Sequence, residues 1–275
     1  MPRHGGGVSP RRRLLLALVG VLVLVGVVLV GVQVVASGGP SVDPSSRPAQ
    51  DALGPVLLVP GYGGSQASLE PLAGRIRASG RTVKVLALEG DGTGDLSAQV
   101  DVLDAAADTA LKGGAPSVDV VGYSAGGVVA GLWVARDDGA AKARRVITLG
   151  APLDGTTLAA AGAATLPSAC PVACRQLAPG SAQLAELARA RVGTLLPWLS
   201  IWTTGDETVT PPDSARLDGA VNIPLQSLCP GAQVDHGSLP RDPAVAGLVL
   251  EGLSTARLDP GGDCTTLRAE GAPSS

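Results

Sequence analysis

One stretch constrains this chain more than any other: a short apolar run that passes directly into a glycine–serine knot and then into a helix. Residues 118–121 read VDVV, residues 122–127 read GYSAGG, and VVAGLWVARDD follows with helical character. A buried strand that reverses within a few residues and re-enters the fold as a helix needs glycine wherever strand and helix pass closely. Gly122 and Gly126 supply that room, with Gly127 beyond them, and Ser124 stands at the tip. Such a serine takes a strained backbone conformation and points its hydroxyl above the sheet, beside unpaired N–H groups and the favourable dipole of a helix start. A plain helix-capping serine is the alternative reading.

The rest of the chain keeps the same alternation. VLLV at 56–59 is a compact apolar strand that runs into PGYGG, and 68–79 predicts a helix with Leu69, Leu72, Ala73 and Ile76 on one face. A strand is expected over 82–88, then a glycine-rich acidic loop, EGDGTGD. Leu96, Val100, Leu103, Ala107 and Leu111 recur at helical spacing and predict a helix over 96–112, ended by Gly113, Gly114 and Pro116. Strands are expected at 145–149, 199–204 and 220–223, with helices around 181–192 and at 243–253. Short apolar strands separated by helices predict an α/β domain over 55–275, its central sheet mostly parallel and flanked by helices. Residues 156–197 break the rhythm and read either as an insertion over the carboxyl face of the sheet or as an ordinary long connection. Phenylalanine is absent and the only aromatics are Tyr62, Tyr123, Trp133, Trp198 and Trp202, so the core must be built from Val, Leu, Ile and Ala.

The beginning of the chain is of another kind. Residues 1–13 hold Arg3, Arg11, Arg12 and Arg13, and residues 14–36 carry no charge at all. As a helix, 14–36 would reach about 35 Å, enough to cross a bilayer, and the arginines would keep 1–13 in the cytoplasm. The segment is therefore a transmembrane anchor, or else a signal peptide cut after Ala36, where Val34 and Ala36 are the small residues before the cut. Both readings export the domain. Residues 37–54, rich in Ser, Pro and Gly, read as a disordered linker. With the arginines confined to the front, the remainder is more acidic than the formal net charge of −3 suggests. An acidic, aromatic-poor body argues against nucleic acid as a partner.

Cys170, Cys174, Cys229 and Cys264 all follow the apolar segment, and an even number in an exported domain predicts two disulfides. Three pairings exist. Cys170–Cys174 would staple a short loop and Cys229–Cys264 would tie the tail to a late loop. A four-cysteine zinc site is the rival, although Cys229 and Cys264 lack the close spacing of a second ligand pair. No cofactor or metal is implied, since GDGTGD does not match a calcium loop and no phosphate-binding fingerprint is present.

General-base activation of a serine requires an acceptor such as imidazole. The chain has two histidines, and His4 lies before the arginine cluster, leaving His236 in QVDHGSLP. Asp206, in TTGDETV after a predicted strand, is placed to orient that imidazole. Glu207 and Asp235 are the competing carboxylates, and a turn-capping role is the plain reading of Asp206. PGYGG places Gly61 and Gly63 beside Tyr62, whose N–H would join that of Ala125 as an oxyanion hole. One such donor is worth about 3 kcal/mol in the transition state.

These phrases together resemble bacterial lipases and esterases of the α/β-hydrolase superfamily, particularly small secreted actinobacterial and bacillus-like enzymes. The similarity covers about residues 55–240 through VLLVPGYGG, VDVVGYSAGG, RVITLGAPLDG, GDETV and DHGSL. It implies an α/β-hydrolase fold, cofactor-free hydrolysis of lipid or small esters, and a catalytic set of Ser124, Asp206 and His236. Many relatives carry histidine where this chain has Pro60, and a polar residue after the GAPLDG phrase, so Asp154 and Thr156 are candidates to line the site. A monomer is expected. An acyltransferase on the same scaffold and a non-catalytic envelope-binding domain are the alternative functions.

Overall fold

Every strand pairing among the described residues is parallel, and the inner strands are buried along almost their whole length because helices cover both faces of the sheet. The computed structural model describes residues 47–273. The apolar segment at 14–36, its basic flank at 1–13 and the linker as far as 46 lie outside the described residues. Among the described residues no helix is long and apolar enough to cross a membrane.

The strands are β1 (Val56–Val59), β2 (Val83–Val85), β3 (Val118–Tyr123), β4 (Ala143–Leu149), β5 (Trp198–Trp202) and β6 (Val221–Pro224), in the order β2-β1-β3-β4-β5-β6. The connecting helices are α1 (Glu70–Ala78), α2 (Leu96–Lys112), α3 (Ala125–Arg136), α4 (Gly139–Lys142), α5 (Thr157–Thr165), α6 (Val172–Gln176), α7 (Ala182–Ala190), α8 (Leu225–Leu228), α9 (Pro243–Leu253) and α10 (Cys264–Glu270). Strand alternation splits the core in two. Leu57, Val59, Val118, Val120, Val146 and Trp198 face α2, α3 and α7, whereas Val56, Leu58, Val121, Ile147, Leu149 and Ile201 face α1 and α9.

The order reverses at β1. The chain leaves β1 for β2 on one side and leaves β3 for β4 on the other, which opens a crevice between the carboxyl ends of β1 and β3. Register aligns those ends: Val59 pairs with Gly122, Tyr123 with Leu149, and Leu149 with Ile201. The loops after Val59, Tyr123, Leu149 and Trp202 therefore emerge side by side.

Three sequence expectations change. The strand expected over 82–88 is only Val83–Val85, because β1 ends at Val59 and leaves no partner past Leu86, whose N–H donates to Leu58 O. Residues 47–54 do not behave as part of a disordered linker. Arg47 donates to Thr194 O, Gln50 donates to Arg144 O and accepts from Arg145, and the Ser117 hydroxyl donates to Ala52 O. A Cβ at Gly54 would collide with Ser117 O. Within 156–197, α7 packs in the sheet-covering layer, its Leu187 side chain 3.0 Å from where a Cβ on Gly131 of α3 would stand. That is how an ordinary crossover helix packs, whereas α5 buries only Ala159.

The amino ends of the central strands carry a buried charge cluster that sequence pattern did not single out. Asp119 is fully buried, and its Oδ2 accepts from Arg144 at 2.7 Å and Arg81 at 2.5 Å. The same arginines reach the carbonyls that end α9: Arg144 donates to Leu253 O and Ser254 O, and Arg81 to Leu253 O. Arg145 adds bonds to Gly252 O and Ala256 O. Cations at a helix C-terminus satisfy its orphan carbonyls and oppose its negative pole. Burial, together with the neighbouring Arg144 charge, holds Arg145 below the usual guanidinium range. Removing the one carboxylate would strand buried positive charge, so Asp119→Asn should cost about 3–5 kcal/mol of stability in denaturant titrations. A loss below about 1 kcal/mol would mean that the carbonyls alone suffice.

Candidate active site

The loops at the crevice carry the residues singled out in the sequence. Ser124 has φ 53° and ψ −125°, the strained turn expected between β3 and α3. Its own N–H donates to Leu149 O at 2.8 Å, stitching the turn to β4. The glycines on either side are required by contact: a Cβ at Gly122 would lie 2.6 Å from Gly126 O, and one at Gly126 would strike Val59 O. Gly126 thus brings the start of α3 against the loop that leaves β1.

His236 opens a one-turn 3₁₀ helix, His236–Ser238, capped by the Asp235 side chain. Its Nε2 lies 3.0 Å from Ser124 Oγ and its Nδ1 lies 2.6 Å from Asp206 Oδ2. All three side chains are buried. The other Asp206 oxygen, Oδ1, accepts from the N–H groups of Thr208 and Val209, at 2.9 and 2.7 Å, which fixes the carboxylate plane. The competing carboxylates do not reach the imidazole: Glu207 and Asp235 both line an open cavity behind the two loops, and Asp235 is spent on Ser238. The hydrogen bonds from Ser238 hold the Asp235 carboxyl below its ordinary value.

The loop after β1 touches the serine, since a Cβ at Gly61 would be 3.0 Å from Ser124 Cβ. Gly63 follows with φ +86°, a left-handed conformation that turns the loop around Tyr62. The N–H groups of Tyr62 and Ala125 have no acceptor among the described residues, which leaves both free for a ligand. The Tyr62 side chain itself is 45% exposed.

Two residues at the site, Tyr123 and Gly150, escaped the sequence reading, whereas Asp154 and Thr156 were expected to line it. Tyr123, beside Ser124, donates its hydroxyl to His236 O at 3.1 Å and sets its ring 5.2 Å from the imidazole. Gly150 has φ +53°, and a Cβ there would stand 3.2 Å from both Asp206 Oδ2 and His236 Nδ1. The leftover glycine of RVITLGAP was the available signal. Thr156 caps α5 and clasps the loop after Asp206, its hydroxyl donating to Thr208 O and accepting from Thr210 N. Asp154 lines a separate cavity of ≈ 410 Å³ beside α7.

The cysteines pair as Cys170–Cys174 and Cys229–Cys264, which leaves no thiolate for zinc. The first bridge packs under α5, where a Cβ at Gly162 would meet both sulfurs. The second ties α10 to the loop before His236. No group of three or more His, Cys, Asp or Glu side chains stands together as a metal site among the described residues.

Burial, followed by the charges of Asp206 and Asp235, pushes the Tyr123 phenol up to about 12, with Arg241 opposing. Burial and then Asp91 raise Tyr62 as well. Tyr123 therefore stays a hydrogen-bond donor well into alkaline solution. Because its folded value exceeds the ordinary 10.0, its stabilising contribution is complete below pH 10 and is lost as pH rises toward about 12. Phenolate absorbance titration should show one of the two tyrosines ionising near 12, and Tyr123→Phe should remove that step. Two ordinary ionisations near 10 would contradict it.

No protein-family description and no curated protein sequence matches this chain. Solved structures do. Lipase B of Aspergillus fumigatus is 19% identical with a TM-score of 0.64, over 82% of this chain and 59% of that one. A Bacillus licheniformis lipase in mature form is 18% identical with a TM-score of 0.58, over 79% of this chain and 96% of that one. Its propeptide form is 19% identical with a TM-score of 0.57, over 82% of this chain and 54% of that one. The chain thus spans about three-fifths of the fungal lipase it resembles. At these identities the likeness establishes the fold, which is the α/β-hydrolase fold.

Proposed function

We propose that this chain is a serine hydrolase that cleaves carboxylic esters, with Ser124 as nucleophile, His236 as general base and acid, and Asp206 as the residue that orients the imidazole. One observation carries the reading: the unbroken hydrogen-bonded line from Asp206 Oδ2 through His236 to Ser124 Oγ, 2.6 and 3.0 Å long, on a strained strand–helix turn. The lipase neighbours share the fold and so favour the same chemistry.

In this mechanism His236 Nε2 takes the Ser124 proton as Oγ attacks the ester carbonyl. The carbonyl oxygen becomes negative and is met by the N–H groups of Tyr62 and Ala125, which have no acceptor of their own among the described residues. Protonated His236, steadied by the Asp206 carboxylate, then gives its proton to the leaving alcohol, and the acyl group remains on Ser124. Water then gives a proton to His236 as its oxygen attacks the acyl carbonyl, and His236 returns that proton to Ser124 Oγ as the bond to serine breaks and the acid leaves. Gly150 matters because any side chain there would press on the acid–base contact.

A lipid-like acyl group suits the surroundings. Tyr62, Leu158 and Leu166 are 45, 57 and 61% exposed, an apolar complement at the loop beside Ser124 and along α5, which is pinned to the acid loop by Thr156. Two disulfides are consistent with an oxidising compartment, and the apolar run at 14–36 gives the domain a route out of the cytoplasm, either anchored or released after Ala36. We read the enzyme as an extracytoplasmic monomer.

The test is a graded series of p-nitrophenyl and glycerol esters run beside substitutions. Ser124→Ala should reduce kcat by about a million-fold and Asp206→Asn by about ten-thousand-fold, with little change in KM. Gly150→Ala should lower kcat at least about tenfold by displacing the acid–base pair. Longer acyl chains should be cleaved with higher kcat/KM than acetate. Undiminished turnover by Asp206→Asn, or by Ser124→Ala, would reject the assignment.

A further inference from the structure

Asp206 and His236 stand on separate loops, after β5 and after α8, and the contact between them depends on how those loops are held. Two side chains that take no part in the proposed chemistry join them. Thr203, fully buried directly after β5, donates its hydroxyl to Val234 O at 2.7 Å, two residues before His236. The same oxygen accepts from Gly205 N at 3.2 Å and from Gln226 Nε2 at 2.8 Å. Gln226, on α8, accepts from Thr204 N at 2.9 Å and donates to Ala232 O at 3.1 Å. Acid loop and histidine loop are thus closed into one ring of hydrogen bonds.

A Cβ on Gly205 would already be 3.1 Å from Val234 O, so the backbones are in contact there. Just outside lies an open cavity of ≈ 490 Å³ lined by Thr204, Gln226, Gln233, Val234 and Asp235. Tyr123 grips His236 from the opposite side, through its carbonyl. Without the ring, the histidine loop would be held on the serine side and free to drift on the acid side. A drift of about 1 Å would carry the 2.6 Å contact beyond hydrogen-bond reach.

We infer that Thr203 and Gln226 are positioning residues that set the Asp206–His236 contact, an inference that rests on the hydrolase reading above. Neither touches the reacting atoms. Thr203→Val keeps the shape of the side chain but strands Val234 O, Gly205 N and Gln226 Nε2, which can be relieved only by the loops moving apart or by water entering from the cavity. Thr203→Ser keeps the hydroxyl.

The experiment measures kcat and KM on a p-nitrophenyl ester for the full chain and for Thr203→Val, Thr203→Ser and Gln226→Leu. Active sites are counted by fluorophosphonate labelling, so that rates refer to folded enzyme. Thr203→Val is expected to lower kcat per labelled site by roughly 10- to 100-fold, the cost of a small misplacement of a catalytic group, with KM within about twofold of the parent. Thr203→Ser should recover most of that loss, and Gln226→Leu should lower kcat in the same manner. A general loss of packing would instead reduce the number of labelled sites and spare kcat per site. If Thr203→Val does not accumulate as folded protein, Gln226→Leu, which borders the cavity, decides by the same criteria. Parent-like kcat per site in the deciding variant, or equal impairment of Thr203→Val and Thr203→Ser, overturns the inference alone. A parent protein that neither turns over nor labels overturns the hydrolase reading and this inference with it.

Discussion

The contact between Asp206 Oδ2 and His236 Nδ1, 2.6 Å long and shielded from solvent, is the interaction to which the rest of the carboxyl face is fitted. Burying a carboxylate is costly unless its oxygens are engaged, and in Asp206 two backbone N–H groups and the imidazole engage both of them. The imidazole in turn must lie within reach of Ser124, which stands on a different strand. Three loops with no local reason to meet are brought together by parallel register. Tyr123 pairs with Leu149, and Leu149 with Ile201, so the turns that follow leave the sheet at one level. Close approach finishes the arrangement, with glycine at 122, 126 and 150 where a Cβ would push the loops apart.

The opposite end of the sheet uses charge for the same purpose. Asp119 lies at the amino end of the strand that carries Ser124 at its carboxyl end. Arg81, Arg144 and Arg145 connect that end to the carbonyls closing α9 and, through Gln50, to the segment preceding β1. One strand is therefore fastened at both ends by polar groups, while its middle is apolar on both faces. That division leaves the carboxyl ends free to specialise without loosening the sheet, as α/β folds with ligands at a strand-order reversal generally do.

Much of this was legible in the sequence where chemistry is local. GYSAGG between a strand and a helix, a single histidine beyond the basic leader, and an aspartate after a strand each announce themselves within a few residues. Helix α2 is readable from its apolar spacing and its terminal glycines. What stayed hidden depends on partners far along the chain. Asp119 drew no notice within VDVV, because Arg81 and Arg144 are distant in sequence. Gln50 looked like linker, since nothing nearby reveals that Arg144 and Arg145 wait for it. Thr203, inside an expected strand, and Gln226, on the short helix α8, carry no local signal until the fold closes a ring through them, and the early end of β2 follows from where β1 stops rather than from any residue in β2 itself.

A single imidazole is held between a carboxylate and a serine hydroxyl, and everything else at the site follows from that. Proton NMR in water tests it most directly, because a ring N–H donated to a carboxylate over a short distance resonates far downfield of the amide envelope. The account predicts one such resonance in the parent protein, assigned to His236 Nδ1 by nitrogen labelling, and its disappearance in Asp206→Asn. A folded parent that shows no such proton at low temperature, or a resonance that survives unchanged in Asp206→Asn, would contradict it.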